Sequence, residues 1–138
     1  MIQMLKTLIV EDNAAFRQTT KEMLLSKFPR MTIAEAPNGE EALKEVNREC
    51  PNIILMDIKL PGKNGLQMTK EIKALHPTVP IIILTSYDFP EYREVATRYG
   101  ADYFLVKGTA KAHEILASID AIFSERQDST VREEKETP

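Results

Sequence analysis

Apolar runs alternate with amphipathic stretches along most of this sequence. Five runs are short, mostly apolar and partly β-branched or aromatic, which predicts strands buried on both faces of a parallel sheet. They cover residues 5–10, 32–36, 53–56, 79–84 and 103–106, of which 32–36 is the weakest. Each run ends in polar or turn-forming residues, so loops are expected at the strand ends.

Between the strands, apolar residues recur every three or four positions, which predicts helices. The second helix begins with Asn38 as N-cap and Glu41 three residues later, a pattern that resembles a capping box. Thr109 is the candidate N-cap of the last helix. The other helices cover residues 14–28, 66–75 and 90–100, and the last one carries an apolar stripe formed by Ala112, Ile115, Leu116, Ile119, Ile122 and Phe123.

Five strands alternating with five helices predict an α/β fold, a doubly wound parallel sheet with right-handed crossovers. The chain of 138 residues has the usual size of one domain. We assign residues 1–124 to this domain. In residues 125–138 only Val131 is apolar, so this segment is predicted to be a charged tail or the start of a linker.

The composition narrows the function classes. No apolar run is long enough for a membrane span, and residues 1–6 carry no secretory signal, so we expect a cytoplasmic protein without membrane contact. The formal net charge of −3 gives no basic face, which disfavours direct nucleic-acid binding by this chain.

Candidate chemistry lies where the predicted strands end. Asp57 follows the third strand, and Glu11 and Asp12 follow the first. Singly, each would be an ordinary solvated turn residue. Parallel strands bring these ends to one edge of the sheet, where three carboxylates are costly unless a cation such as Mg²⁺ neutralises them. With the Lys107 ammonium and the Thr85 hydroxyl, they predict a site for an acyl phosphate.

Four motifs carry a family resemblance. They are Val10-Glu11-Asp12, the stretch from Met56 to Gly65, Leu84-Thr85-Ser86, and the stretch from Gly100 to Lys107. Over roughly Lys6 to Phe123, the chain resembles the receiver domain of bacterial two-component response regulators. The resemblance implies a flavodoxin-like fold with strand order 2-1-3-4-5.

The resemblance also implies a role for each matching residue. Asp57 matches the phosphoacceptor, and Thr85 and Lys107 match the other two catalytic groups. Thr85 and Phe104 match the switch residues that respond to phosphorylation. The Mg²⁺ ligands implied are the acidic pair Glu11 and Asp12, Asp57, and the main-chain carbonyl of Lys59.

The function implied is that of a phosphorylation-dependent signalling switch rather than an enzyme. Such a domain takes a phosphoryl group from a sensor histidine kinase or phosphotransfer protein and slowly hydrolyses it. The resemblance and the switch geometry point to a partner or output surface formed by the fourth helix, fifth strand and fifth helix, with phosphorylation-dependent dimerisation as one form of output. Gly108 departs from the family, which usually has a cis proline there, so we expect a trans peptide or a different loop.

Several alternatives stay open at this point. The chain is a stand-alone receiver, or a fragment of a DNA-binding transcriptional regulator whose helix-turn-helix output domain is missing, as Lys107-Gly108-Thr109 suggests. A different class is a metal-dependent phosphatase or phosphotransferase acting on small acyl phosphates. A third alternative is a degenerate receiver that binds partners without phosphorylation.

Overall fold

Parallel strands form one sheet, and a helix follows each strand. The computed structural model describes residues 5–108 and 112–136, with side chains described as far as residue 125, and within this part there are five strands and five helices. They are β1 (Lys6–Val10), α1 (Ala14–Lys27), β2 (Thr32–Ala36), α2 (Gly39–Arg48), β3 (Ile53–Met56), α3 (Gly65–Leu75), β4 (Ile81–Thr85), α4 (Pro90–Arg98), β5 (Tyr103–Val106) and α5 (Ala112–Glu136). The sheet order is β2-β1-β3-β4-β5, which confirms the predicted doubly wound fold.

Both faces of the sheet are covered, which explains the unbroken apolar runs. Successive residues of a strand point to opposite faces. In β3, Ile54 and Met56 pack in the layer of α2, α3 and α4, whereas Ile53 and Leu55 pack in the layer of α1 and α5. All four side chains are at most 2% exposed. The central strands therefore have no polar face, as expected for a parallel sheet between two helical layers.

Asparagine side chains start three of the helices. Asn38 Oδ1 accepts the Glu41 N–H at 2.9 Å, which confirms the predicted N-cap of α2. A reciprocal capping box forms instead at α3, where Asn64 Oδ1 accepts the Gln67 N–H at 2.9 Å and Gln67 Oε1 accepts the Asn64 N–H at 3.2 Å. Asn13 caps α1 in the same way. The caps of α1 and α3 fix the starts of these helices beside the ends of β1 and β3, which carry the acidic residues.

Some details differ from the sequence interpretation. The last helix runs from Ala112 to Glu136, beyond the proposed domain boundary at residue 124, and the predicted cap Thr109 lies outside the described residues. Leu75 marks the predicted pattern of α3 but is 58% exposed, because it is the last residue of the helix. The described residues contain no cis peptide bond, so the bond from Lys107 to Gly108 is trans, as expected. In the described part of the chain, no helix is long and apolar enough to cross a membrane.

Candidate functional site

Three carboxylates meet at the carboxyl ends of β1 and β3. The strands are adjacent and parallel, with Val10 opposite Met56, and the Asp57 N–H donates to the Val10 carbonyl at 3.0 Å. One carboxylate oxygen from each of Glu11, Asp12 and Asp57 lies within 4.8 Å of the other two. Glu11 and Asp57 are buried and Asp12 is exposed. The predicted acidic cluster is therefore formed, and it opens to solvent on the Asp12 side.

Lys107 supplies the positive charge of this cluster. Its Nζ lies 3.1 Å from Asp57 Oδ2 and also contacts Glu11 Oε1. The backbone that carries it is anchored to the neighbouring strand, because the Lys107 N–H donates to the Thr85 carbonyl at 2.8 Å. The Lys107 side chain is only 15% exposed, so water screens these contacts little. One ammonium thus serves two buried carboxylates.

The Asp57 carboxylate is held from both sides. Its Oδ1 accepts the Ile58 N–H at 2.8 Å, while Oδ2 faces Lys107. The loop behind it is drawn in because the Gly65 N–H donates to the Ile58 carbonyl at 2.7 Å. A Cβ on Gly65 would lie 1.8 Å from the Asp57 carbonyl oxygen, so only glycine allows this approach. The start of α3 therefore packs closely against the backbone that carries the Asp57 side chain.

Burial and charge shift two of the ionisable groups. Burial raises the pKa of the Glu11 carboxyl above its ordinary value, and the neighbouring Asp57 charge adds to this. Hydrogen bonds from Lys107 and from the Asn13 N–H, 3.0 Å from Glu11 Oε2, offset part of the increase. Burial acts to lower the pKa of the Lys107 ammonium, but its hydrogen bond to Glu11 and the Asp57 charge outweigh burial and raise it. Lys107 therefore stays protonated at neutral pH.

The donor set fits a hard divalent cation. Its atoms are carboxylate oxygens, the ligands that Mg²⁺ prefers, and Mg²⁺ is usually bound by one or two carboxylates and several waters. Both oxygens of Glu11 already accept hydrogen bonds, from Lys107 and from Asn13. Both oxygens of Asp57 likewise accept one hydrogen bond each, from the Ile58 N–H and from Lys107, so the oxygens of both residues retain lone pairs. Asp12 is exposed. The residues present therefore suit a cation bound by carboxylate oxygens of this cluster on its Asp12 side.

The remaining predicted site residues lie on β4, on β5 and in the loop after β3. Thr85 is fully buried at the end of β4, and its Oγ1 accepts the Tyr87 N–H at 3.3 Å. Phe104 is half-buried on β5, and the Arg93 guanidinium lies 4.7 Å from its ring centroid. The exposed Lys59 points its ammonium toward the Tyr87 ring, 5.8 Å from the centroid. The contacts described join Thr85 to Lys107 through the backbone, whereas Phe104 and the Lys59 side chain contact other groups.

Two residues of the site were not predicted from the sequence. Asn13 donates its N–H to Glu11, and the ring of Phe16 lies 4.2 Å from Lys107 Nζ. In the sequence, Phe16 is only an apolar position of the first helix. The available signal was its place in the first turn of the predicted helix that follows the acidic pair, which puts it at the same edge of the sheet.

Comparisons with known proteins find a matching family and several relatives. The sequence profile of the family described as Response regulator receiver domain matches residues 7–120. The response regulator GacA of Pseudomonas syringae pv. syringae is 29% identical over 121 residues, which are 88% of this chain and 56% of that protein. The uncharacterized transcriptional regulatory protein YesN of Bacillus subtilis is 32% identical over 103 residues, 75% of this chain and 28% of that protein. The chain thus spans about half or less of these relatives.

A solved structure gives the same result for the fold. The CheY-like response regulator receiver domain protein from Methanospirillum hungatei superposes with a TM-score of 0.85 and 27% identity. The match covers 92% of this chain and 99% of that chain.

Proposed function

The chain belongs to the response regulator receiver domain family of two-component systems, and from this premise we propose that it is a switch controlled by phosphorylation of Asp57. One observation carries the proposal. The Asp57 carboxylate is buried, held by the Ile58 N–H, and paired with the Lys107 ammonium beside two further carboxylates. This arrangement combines an oriented nucleophile with positive charge where phosphoryl oxygens would lie.

The side chains of the site can have separate roles in phosphoryl transfer. An Asp57 oxygen attacks phosphorus, and the bond from phosphorus to the donor's leaving group breaks. Lys107 Nζ lies 3.1 Å from Asp57 Oδ2, so it can donate a hydrogen bond to an oxygen of the transferred phosphoryl group as negative charge moves there. When Mg²⁺ is bound by Asp12, Asp57 and the Lys59 carbonyl, with Glu11 beside them, it supplies further positive charge for those oxygens.

Thr85 and Phe104 would then change conformation in response to phosphorylation. The new group carries a charge of roughly −1.5 to −2, as for a phosphate monoester, and new acceptor oxygens. The buried Thr85 hydroxyl would turn from the Tyr87 N–H toward these oxygens. Phe104 could then move into the vacated space, which would change the surface formed by α4, β5 and α5. We propose that this surface contacts the partner or output domain.

The partners follow from the family. The phosphoryl donor is a sensor histidine kinase or a phosphotransfer protein, and the protein acts in the cytoplasm. The output is either a separate protein or a DNA-binding domain of the same protein. A solved neighbour, 28% identical with a TM-score of 0.78, is a DNA-binding response regulator of the LuxR family from Staphylococcus aureus, which supports the second arrangement. Phosphorylation-dependent dimerisation is a further form of output.

Intact-mass spectrometry tests the proposal. The chain is incubated with acetyl phosphate, with and without Mg²⁺, as wild type, as Asp57→Asn, and as Asp120→Asn, whose carboxylate is exposed on α5. We expect a single Mg²⁺-dependent phosphoryl adduct on wild type and on Asp120→Asn and none on Asp57→Asn. Absence of an adduct from wild type would contradict the proposal and favour a domain that binds partners without phosphorylation. Rapid release of many phosphates would instead indicate an acyl phosphatase.

A further inference from the structure

The Lys107 ammonium has a third neighbour besides its two carboxylates. The centroid of the Phe16 ring lies 4.2 Å from Nζ, within the range of a cation–π interaction. A lysine ammonium has three N–H donors, and two of them are directed to Glu11 and Asp57. The Phe16 ring belongs to α1, while the two carboxylates lie at the ends of β1 and β3. Residues from three different elements therefore enclose the ammonium.

The position of the Phe16 ring is itself fixed by the site. The Phe16 N–H donates to Asn13 Oδ1 at 3.0 Å, and the Asn13 N–H donates to Glu11 Oε2 at 3.0 Å. Glu11 in turn contacts Lys107, whose ammonium faces the Phe16 ring. These four residues form a closed circuit of contacts. The N-cap of α1 thus places the aromatic ring and the acidic partner of one lysine together.

We propose that Phe16 is a positioning residue for phosphoryl transfer, which holds the Lys107 ammonium against Asp57. The inference rests on the proposed function. A lysine side chain has a flexible four-carbon stem and an ammonium that is strongly attracted to water. With Phe16 in place, the ammonium is surrounded by two carboxylates and a ring face, and the side chain is only 15% exposed. Without the ring, Nζ gains access to solvent and is directed less often toward Asp57 Oδ2.

Substitutions at Phe16 distinguish the effect of the aromatic ring on Lys107 from the effect of burying an apolar side chain. Phe16→Leu keeps an apolar side chain but removes the ring, and Phe16→Tyr keeps the ring. Phe28→Leu is a matched control, because Phe28 packs against the same core layer at the other end of α1, edge-on to Phe123 at 6.2 Å. We expect Phe16→Leu to slow phosphorylation by acetyl phosphate about three- to thirtyfold, the range of a cation–π contact from exposed to desolvated. Phe16→Tyr should restore most of the rate, and Phe28→Leu should leave it unchanged.

A double-mutant cycle with Lys107→Met decides whether Phe16 acts through the lysine. If it does, Phe16→Leu has no further effect on the phosphorylation rate once Lys107 is replaced. An equal slowing in both backgrounds would overturn the proposal, because a purely structural effect does not depend on the lysine.

The same cycle is measured for urea unfolding in EDTA, where neither metal nor phosphorylation is involved. We expect a coupling of about three- to thirtyfold in the unfolding constant between Phe16 and Lys107. No coupling would overturn the contact itself. If wild type is not phosphorylated while the coupling is present, the proposed function fails and the contact stands. The two failures are therefore distinguishable.

Discussion

Replacing Gly65 by alanine should distort the phosphoacceptor without touching a charged group. A Cβ at this position would lie 1.8 Å from the Asp57 carbonyl oxygen and 2.7 Å from its carbonyl carbon. The atoms must separate by more than 1 Å before the first contact reaches an ordinary distance. Since the obstacle is backbone, either α3 or the segment from Asp57 to Ile58 has to shift. Overpacking of this kind costs about 1–3 kcal/mol, and because Gly65 is the first residue of α3, alanine gains little of the helix propensity that it has in a helix interior.

We therefore expect Gly65→Ala to lower the unfolding free energy by about 2 kcal/mol in urea titrations. A displacement of this size next to the nucleophile should also slow phosphorylation by acetyl phosphate about tenfold to a hundredfold. Gly62→Ala is the control in the same loop, because its φ of +78° imposes strain but a Cβ there meets nothing within 4 Å. It should cost about 1 kcal/mol and leave the rate unchanged. Wild-type stability and rate in Gly65→Ala would refute this reasoning.

Two further predictions concern groups outside the acidic cluster. Hydrogen bonds from Arg48 and Lys6 lower the pKa of Glu45 to about 2, so this carboxylate stabilises the fold above its ordinary pKa of 4.5 and loses that effect as the pH falls toward 2. Thermal unfolding of Glu45→Gln should show a shallower loss of stability than wild type over this pH range, and an equal loss in both proteins would contradict the assignment. The Arg93 guanidinium lies 4.7 Å from the centroid of the Phe104 ring, so Arg93→Ala should lower the unfolding free energy in urea by about 0.5–1 kcal/mol and change the Phe104 ring resonances in NMR spectra. Arg98 pairs with an exposed glutamate, so Arg98→Ala should change neither.

The sheet could be predicted because its central strands are apolar along their whole length. A run such as Ile53 to Met56 has no polar face, so it must be buried on both sides. Parallel strands then place their carboxyl ends at one edge, which is why the clustering of Glu11, Asp12 and Asp57 followed from the sequence. The motifs in the loops then indicated which of these three carboxylates is the candidate phosphoacceptor.

Contacts between side chains of distant elements could not be predicted in the same way. The ring of Phe16 and the ammonium of Lys107 are in contact because the N-cap of α1 and the end of β5 both lie against Glu11. No local sequence pattern predicts this contact. Likewise, α5 continues to Glu136 through a segment with a single apolar residue, Val131. An amphipathic stripe cannot mark the end of a helix where the sequence is almost entirely polar.

The central claim is that Asp57 alone, among three neighbouring carboxylates, accepts the phosphoryl group. Borohydride reduction converts an aspartyl phosphate to homoserine, and tandem mass spectrometry then locates the modified position. The chain is phosphorylated with acetyl phosphate and Mg²⁺, reduced and digested. We predict homoserine at position 57 and unmodified residues at positions 11 and 12. Conversion at position 12, or a phosphoryl adduct with no conversion at position 57, would contradict the account.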